Sequence, residues 1–283
     1  MVEPGKTMRA FLLTGHGDFD KLVYREQWPA PEPGPGEVLI QVGACGLNNT
    51  DVNTRTAWYS KGVSEETTGG AFESASDDDS SWGGAAITFP RIQGADVCGQ
   101  VVGLGASADP SLMGKRVLIE TWLRDWDDPL NLDKCGYFGS ESDGGFADYT
   151  TVDARNVHTV ESDLSDAELA TFATSYITAE NMLNRAEVAS GDRVLIPGAS
   201  GGVGSALIQL AKRRGAETIA LCDDAKAAEV SAAGADHVLL RAPGELRATL
   251  EATTGSAEVP DVADVVGGAL WPQMISGLAR GGR

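Results

Sequence analysis

Seven consecutive residues, Gly198-Ala199-Ser200-Gly201-Gly202-Val203-Gly204, carry the most specific chemistry in the chain. They follow an apolar run at 194–196 and open a stretch in which Ala206, Leu207, Leu210 and Ala211 recur at helical spacing. In a strand that turns through glycines into a helix, one glycine permits the tight turn. A second lets the main chain approach a diphosphate with no Cβ in the way, and a third lets helix and strand pack closely. The helix N-terminus then directs free N–H groups and the positive end of its dipole at the anion. Gly198, Ser200, Gly201, Gly202 and Val203 are therefore the expected diphosphate cradle, with a tight turn holding no ligand as the alternative. A second strand at 218–221 ends in Cys222-Asp223-Asp224. A carboxylate there accepts hydrogen bonds from adenosine ribose hydroxyls, so Asp223 favours NAD, whereas Lys226 can pair with a 2′-phosphate and favours NADP.

The elements that must position these residues fall into two patterns. The first half reads as short strands at 8–14, 38–44, 96–105, 116–120 and 146–152, separated by loops such as the Pro- and Gly-rich 29–37. Such a series implies a small β-barrel or sandwich-like domain. Residues 60–86 interrupt it with Gly, Ser and acids and almost no apolar side chains, so they read as a mobile acidic insertion. After residue 161 the rhythm changes. Ser165-x-x-Glu168 is a capping box before an apolar run, and helix is expected to about residue 188. Strands at 193–197, 217–221, 236–240 and 261–266 then alternate with helices, the pattern of a doubly wound parallel sheet. The expected class is α/β plus β, with domains at 1–160 and 161–283. Open parallel sheets bind ligands at the carboxyl ends of their strands, which places Val266 and Gly267 near a nicotinamide ribose.

Composition narrows the function further. Lys and Arg number 22 against 41 Asp and Glu, a net charge of −19, over 283 residues. A nucleic-acid partner needs a basic face, and an anionic membrane surface disfavours this charge, so neither is expected. No run of 18 apolar residues occurs, and the first residues lack the pattern of a secretory signal. Cys45, Cys98, Cys135 and Cys222 lie far apart with no CxxC, which fits free thiols in a reducing cytoplasm.

Four segments in order resemble the medium-chain dehydrogenase/reductase superfamily, and within it the quinone oxidoreductase-like branch: Gly46-Leu47-Asn48-Asn49-Thr50-Asp51, Gln93-Gly94-Ala95-Asp96-Val97-Cys98-Gly99, Gly144-Gly145-Phe146-Ala147-Asp148-Tyr149, and the glycine turn. The resemblance implies a GroES-like catalytic domain joined to a Rossmann domain, with a nicotinamide cofactor in the cleft between them. It also places Thr178, in Ser175-Tyr176-Ile177-Thr178-Ala179, at a helix start facing that cofactor. Zinc-dependent members carry G-x-C-H-[ST]-D and GHE. Here the Cys position is Asn48 and the His position is Ala95. An amide and a methyl replace a thiolate and an imidazole, so no zinc is expected. Cys45, an odd number of residues away, reads as a small buried hydrophobe, and only Cys135 stands in the structural-zinc region.

Without a metal, neutral donors must stabilise charge developing on the substrate oxygen. Asn48 is the first candidate and Tyr59 the second, the latter because Arg55 and Tyr59 match an RxGxY-like stretch of the branch. His158 and His237 read as surface or packing residues. The implied activity is hydride transfer from NAD(P)H to a quinone or an α,β-unsaturated carbonyl, a small-molecule substrate. A zinc-type alcohol dehydrogenase with substituted ligands, or a cofactor-binding protein without turnover, are the alternatives. Against the family's six-stranded pattern the four Rossmann strands read as a C-terminal truncation, and a homodimer is expected only where the later strands are present.

Overall fold

The computed structural model describes residues 6–64, 72–241 and 246–283. The chain divides into two compact units, Met1–Thr174 and Ser175–Arg283. The first is antiparallel and β-rich, the second a parallel α/β layer structure.

In the first unit β1 (Thr7–Leu13) pairs with β2 (Leu22–Pro29), and β3 (Glu37–Gly46) leads into helix α1 (Asn49–Thr56). There follow β4 (Asp96–Leu104), β5 (Arg116–Ile119), the small ladder β6 (Trp122–Leu123) with β7 (Gly136–Tyr137), then β8 (Tyr149–Asp153) and β9 (Val157–Thr159). The main sheet runs β8-β3-β4-β5-β9, all antiparallel. Its core gathers Val38, Ile40, Val97, Val101, Val117, Ile119, Phe138 and Val152. β3 lies between two neighbours, and Leu39 is buried along with Val38 and Ile40, so both of its faces are covered there.

Helix α1 was not expected. Its sequence, NTDVNTRT, has one aliphatic residue, and the residues it buries are Asn53, Thr54, Arg55 and Thr56. Hydrophobic periodicity has nothing to detect in such a helix. The helical stretch expected from 165 is broken into α2 (Asp166–Leu169) and α3 (Ala173–Arg185). The Ser165–Glu168 capping box is present. α2 belongs to the first unit, because the Arg116 guanidinium of β5 donates to Asp166 at 2.7 Å and to the Leu164 carbonyl at 2.6 Å. The units therefore divide at Thr174, later than the change of rhythm at 161 suggests.

The expected mobile insertion is corrected in its described part. Residues 65–71 lie outside the described residues. From 72 onward the segment is tied to the unit, with Ser80 and Ser81 fully buried. Trp82 N–H donates to Ser140 Oγ at 3.1 Å, Gly83 N–H donates to Glu141 at 2.7 Å, and the Trp82 ring stacks on Tyr137. One tryptophan and several well-placed serines anchor a segment whose composition reads as solvated.

In the second unit α3 precedes β10 (Arg193–Pro197), α4 (Gly202–Arg213), β11 (Glu217–Cys222), α5 (Ala227–Ala232), β12 (His237–Leu240), α6 (Leu246–Thr254), β13 (Asp261–Val262) and α7 (Trp271–Gly277). The sheet order is β12-β11-β10-β13, all parallel. Val194 and Ile196 of β10 face Ala206, Leu207, Ile208 and Ala211 of α4, with Ala179 and Leu183 of α3. Leu195 faces the other way, toward Leu246, Leu250 and Met274. Burial on both sides is what makes a parallel strand read as an unbroken apolar run. β13 is two residues long rather than the six expected. Asp264 ends it, its carboxylate accepting the Val266 N–H at 2.8 Å and the Gly267 N–H at 3.2 Å, which folds 264–267 into a turn. Among the described residues no helix is long and apolar enough to cross a membrane.

Candidate functional site

The glycine turn is built from backbone. Gly198 leaves β10 with φ +61°, a conformation that L side chains rarely adopt. A Cβ on Gly204 would lie 2.4 Å from the Gly198 carbonyl oxygen and 2.6 Å from Ala199 Cα, so helix and strand touch main chain to main chain. Gly201 caps α4 with no side chain to satisfy the first amides, and Ser200, Gly201 and Gly202 are exposed. A twelve-residue helix with an open, glycine-capped N-terminus fits a diphosphate. Val266 reaches this turn, its Cγ2 2.6 Å from the Cβ position of Gly198, which brings the Val266–Gly267 turn to the cradle. Asp223 sits exposed at the end of β11 with Arg241 Nε 3.7 Å away, a cation the sequence reading did not single out. Lys226 is held by Glu229 at 3.1 Å. Thr178 is half-buried on α3, one turn beyond Ser175, whose Oγ lies 2.5 Å from the Cβ position of Gly202.

A second constellation, in the first unit, is built from side chains. Asp96 at the start of β4 is 1% exposed. It accepts the Asn48 amide at 3.0 Å, the Thr174 N–H at 2.9 Å, and the Thr174 hydroxyl. The Tyr137 phenol lies 2.7 Å from Thr174 Oγ1 and 3.4 Å from Thr50 Oγ1. Asp51, in the first turn of α1, accepts the Asn48 N–H at 2.9 Å and the Gly94 N–H at 3.2 Å. Burial pushes the Asp51 carboxyl up to about 6, against the opposing effect of those amides. Burial also raises Asp96, again opposed by its donors, and raises the Tyr137 phenol, which stays neutral. Among the described residues no ion pair reaches Asp51 or Asp96.

These residues do not fit a zinc ion. Asn48 spends an amide hydrogen on Asp96, and Ala95 is a buried methyl. The Cys45 thiol, close to Gly94 and Gly145, is driven up by burial, with Asp51 and Asp96 adding to the effect. Among the described residues no group of three or more His, Cys, Asp and Glu is placed to hold a metal ion.

The other predicted residues have partners of their own. Tyr59 is half-buried, bonded by the Asn53 side chain and edge-on to Trp58. Burial pushes its phenol up to about 12. Arg55 is buried and donates to the Gly17 carbonyl at 2.5 Å, with its guanidinium over the Phe19 ring, so it fastens the loop after β1. His237 bonds Glu217 at 2.7 Å, and His158 is exposed beside Glu120. Sequence reasoning missed Tyr137, Thr174 and His16. His16 bonds the Thr54 carbonyl at 3.0 Å and Ser80 Oγ at 2.7 Å. Tyr137 and Thr174 have no local motif, and only the return of β7 and α3 to Asp96 marks them.

Residues 34–162 match the family described as alcohol dehydrogenase GroES-like domain, and residues 202–283 match zinc-binding dehydrogenase. A solved structure from Sinorhizobium meliloti 1021, described as a "putative alcohol dehydrogenase", is 43% identical with a TM-score of 0.85, covering 98% of this chain and 74% of that one. The human quinone oxidoreductase is 27% identical, covering 74% of this chain and 51% of its own length. A 2-methylene-furan-3-one reductase of Solanum lycopersicum is 28% identical over 72% of this chain and 44% of its own length. The chain spans about half the length of the curated relatives it matches.

Proposed function

The chain belongs to the medium-chain dehydrogenase/reductase superfamily, and from that premise we propose that it reduces quinones or α,β-unsaturated carbonyls with NAD(P)H and without zinc. The observation that supports the reading is the Asn48–Asp96 hydrogen bond, which engages the side chain standing at the position of the family's metal-binding cysteine. A bound nicotinamide supplies the hydride, and the diphosphate is held at the open N-terminus of α4. Thr178, Val266 and Gly267 border the nicotinamide end, and Asp223 or Lys226 reads the adenosine ribose. Asn48 has a second amide hydrogen beyond the one given to Asp96, and that hydrogen is the donor to the acceptor oxygen. Tyr59 is a second donor. Nothing in this set strongly lowers an alcohol pKa, which suits acceptors already electron-poor.

The zinc-binding and alcohol dehydrogenase names among the relatives favour a second reading, a zinc-type alcohol dehydrogenase. The test is a panel of quinones, enones and simple alcohols run with both cofactors, beside elemental analysis and Asn48→Ala. Chelator-insensitive oxidation of NAD(P)H by quinones or enones, reduced about 100-fold in the variant, is the expected result. About one zinc per chain with alcohol turnover would overturn it. Cofactor binding with no turnover across the panel would leave a binding protein.

A further inference from the structure

We propose that Trp82 is the wall against which the acceptor stacks, and that it selects flat, conjugated rings, quinones above all, over acyclic enones. The proposal rests on the reductase reading above and narrows its substrate class. Trp82 stands in the 60–86 stretch, outside the four segments that carry the family resemblance.

The backbone around Trp82 holds one ring still. Ser81 N–H donates to the Ala85 carbonyl at 2.9 Å, and Ser81 Oγ accepts the Ala85 N–H at 3.0 Å, which closes 81–85 into a turn. Ser140 Oγ accepts the Trp82 N–H and Glu141 accepts the Gly83 N–H, so the turn is clamped to the residues that follow β7. Ser81 is buried, and the residues at 83–86 are exposed and small. Trp82 is the one large side chain that these bonds position. Its ring stacks on Tyr137, with centroids 5.5 Å apart and planes at 28°, and meets Trp122 edge-on at 5.7 Å. Trp82 and Trp122 are both half-buried, so the shelf they make keeps ring surface open.

The shelf borders both candidate donors. The Tyr137 phenol lies 2.7 Å from Thr174 Oγ1, and Thr174 shares the Asp96 carboxylate with the Asn48 amide. The Tyr59 phenol feels the charges of Asp51 and Glu141, so it stands near the same clamp. Glu141 itself is spent on the Gly83 and Tyr137 N–H groups, which leaves the open surface aromatic rather than charged. An acceptor whose oxygen meets Asn48 then lays its remaining atoms over aromatic surface. An electron-rich indole pairs well with an electron-poor ring in offset stacking. A ring already fixed by its own backbone loses little freedom when the acceptor arrives. A quinone offers such a wall a whole ring, whereas an acyclic enone offers a short edge.

The test compares the parent with Trp82→Phe and Trp82→Leu, using menadione as the quinone and mesityl oxide as the acyclic enone. In Trp82→Leu, kcat/KM for menadione falls about tenfold through KM, whereas mesityl oxide loses less than threefold. Trp82→Phe keeps a ring and recovers most of the loss. Equal losses on the two acceptors overturn the proposal, because a tryptophan that only supports the fold does not tell them apart. A Trp82→Phe variant no better than Trp82→Leu overturns it as well. A second readout needs neither turnover nor a stable Trp82→Leu protein. Menadione added to the protein with oxidised cofactor gives a long-wavelength charge-transfer absorption with the indole, and Trp82→Phe loses it. Its absence from the parent, or its persistence in Trp82→Phe, overturns the proposal. A parent that reduces neither acceptor but shows the absorption, and loses it in Trp82→Phe, counts against the reductase reading and leaves the stacking wall standing.

Discussion

The two candidate sites are built in opposite ways. The turn at 198–204 does its work with main chain, and its side chains matter mostly by being absent. The cluster around Asp96 is built on side chains drawn from α1, β4, β7 and the start of α3, with single main-chain amides such as the Thr174 N–H fixing its carboxylates. A backbone site tolerates no added atom, whereas a side-chain site tolerates shape-conserving change but not the loss of a donor. The difference also decides what a sequence reveals. A backbone site needs its glycines in one short stretch, while a side-chain site can collect residues 126 positions apart, as Asp96 shows by joining Asn48 to Thr174 (174 − 48 = 126).

The sharpest test of the backbone half is Gly204→Ala. The new methyl meets two main-chain atoms at 2.4 and 2.6 Å, neither of which can swing aside. A loss of about 3 kcal/mol, at the upper end for overpacking, is expected in thermal unfolding, together with loss of NAD(P)H binding by fluorescence titration. Parent-like binding would break the claim that this turn is the cofactor cradle. On the side-chain half the largest stability effect is expected from Trp82→Ala, which removes the ring stacked 5.5 Å from Tyr137 and edge-on to Trp122. The cost is about 2 kcal/mol, below that of a core tryptophan because the ring is half-buried. Hydrogen exchange should rise across 76–86, and unchanged exchange there would mean the serine contacts alone hold the segment.

What the sequence revealed follows the same division. Ordered strands, the capping box at Ser165 and the stripe on α4 could be read because apolar spacing or a local cap specifies each one. The glycine turn at 198–204 was legible as a strand-to-helix turn, because its glycines stand in one short stretch. The polar helix α1 was not, since its buried face is Asn, Thr and Arg. Nor was the anchoring of residues 72–86, because an average over composition hides what one Trp82 and a buried Ser80 can fasten. Asn48 could be picked out by position, but its partner Asp96 and the line through Thr174 and Tyr137 exist only once the chain has returned. Strand 13 was overextended because Asp264, read as strand, instead accepts the amides of the next turn.

A third test probes the charge of the side-chain cluster. The Asp51 carboxyl stands near 6 in the folded chain against an ordinary 3.8, mainly through burial. Between those values the folded chain keeps a proton that the unfolded chain has released, so stability falls as pH rises through the window. The shift corresponds to about 1.5 kcal/mol once discounted for the partial exposure of the group. Asp51→Asn should therefore gain by about that amount on the parent between pH 4 and pH 7 in paired denaturant titrations. A constant difference across the window would show that Asp51 is not desolvated and that the cluster is open to water.

The smallest expected effect sits where the backbone site borrows a side chain. Asp223 stands at the end of β11 with two cations in its neighbourhood, and they are not equivalent. Lys226 is engaged by Glu229, whereas Arg241 lies 3.7 Å from Asp223 itself. If the carboxylate serves the ribose hydroxyls, Asp223→Asn weakens NADH binding about tenfold, the worth of one charged hydrogen bond, and leaves NADPH equal or better because a repulsive charge is gone. Lys226→Ala should then change either affinity less than threefold, as for an exposed cation already paired. The opposite pattern, NADPH lost in Lys226→Ala and NADH indifferent to Asp223→Asn, would make the cation the reader of this pocket. Cofactor choice would then belong to α5 rather than to the strand end, and the backbone site would depend on a side chain that its glycines do not predict.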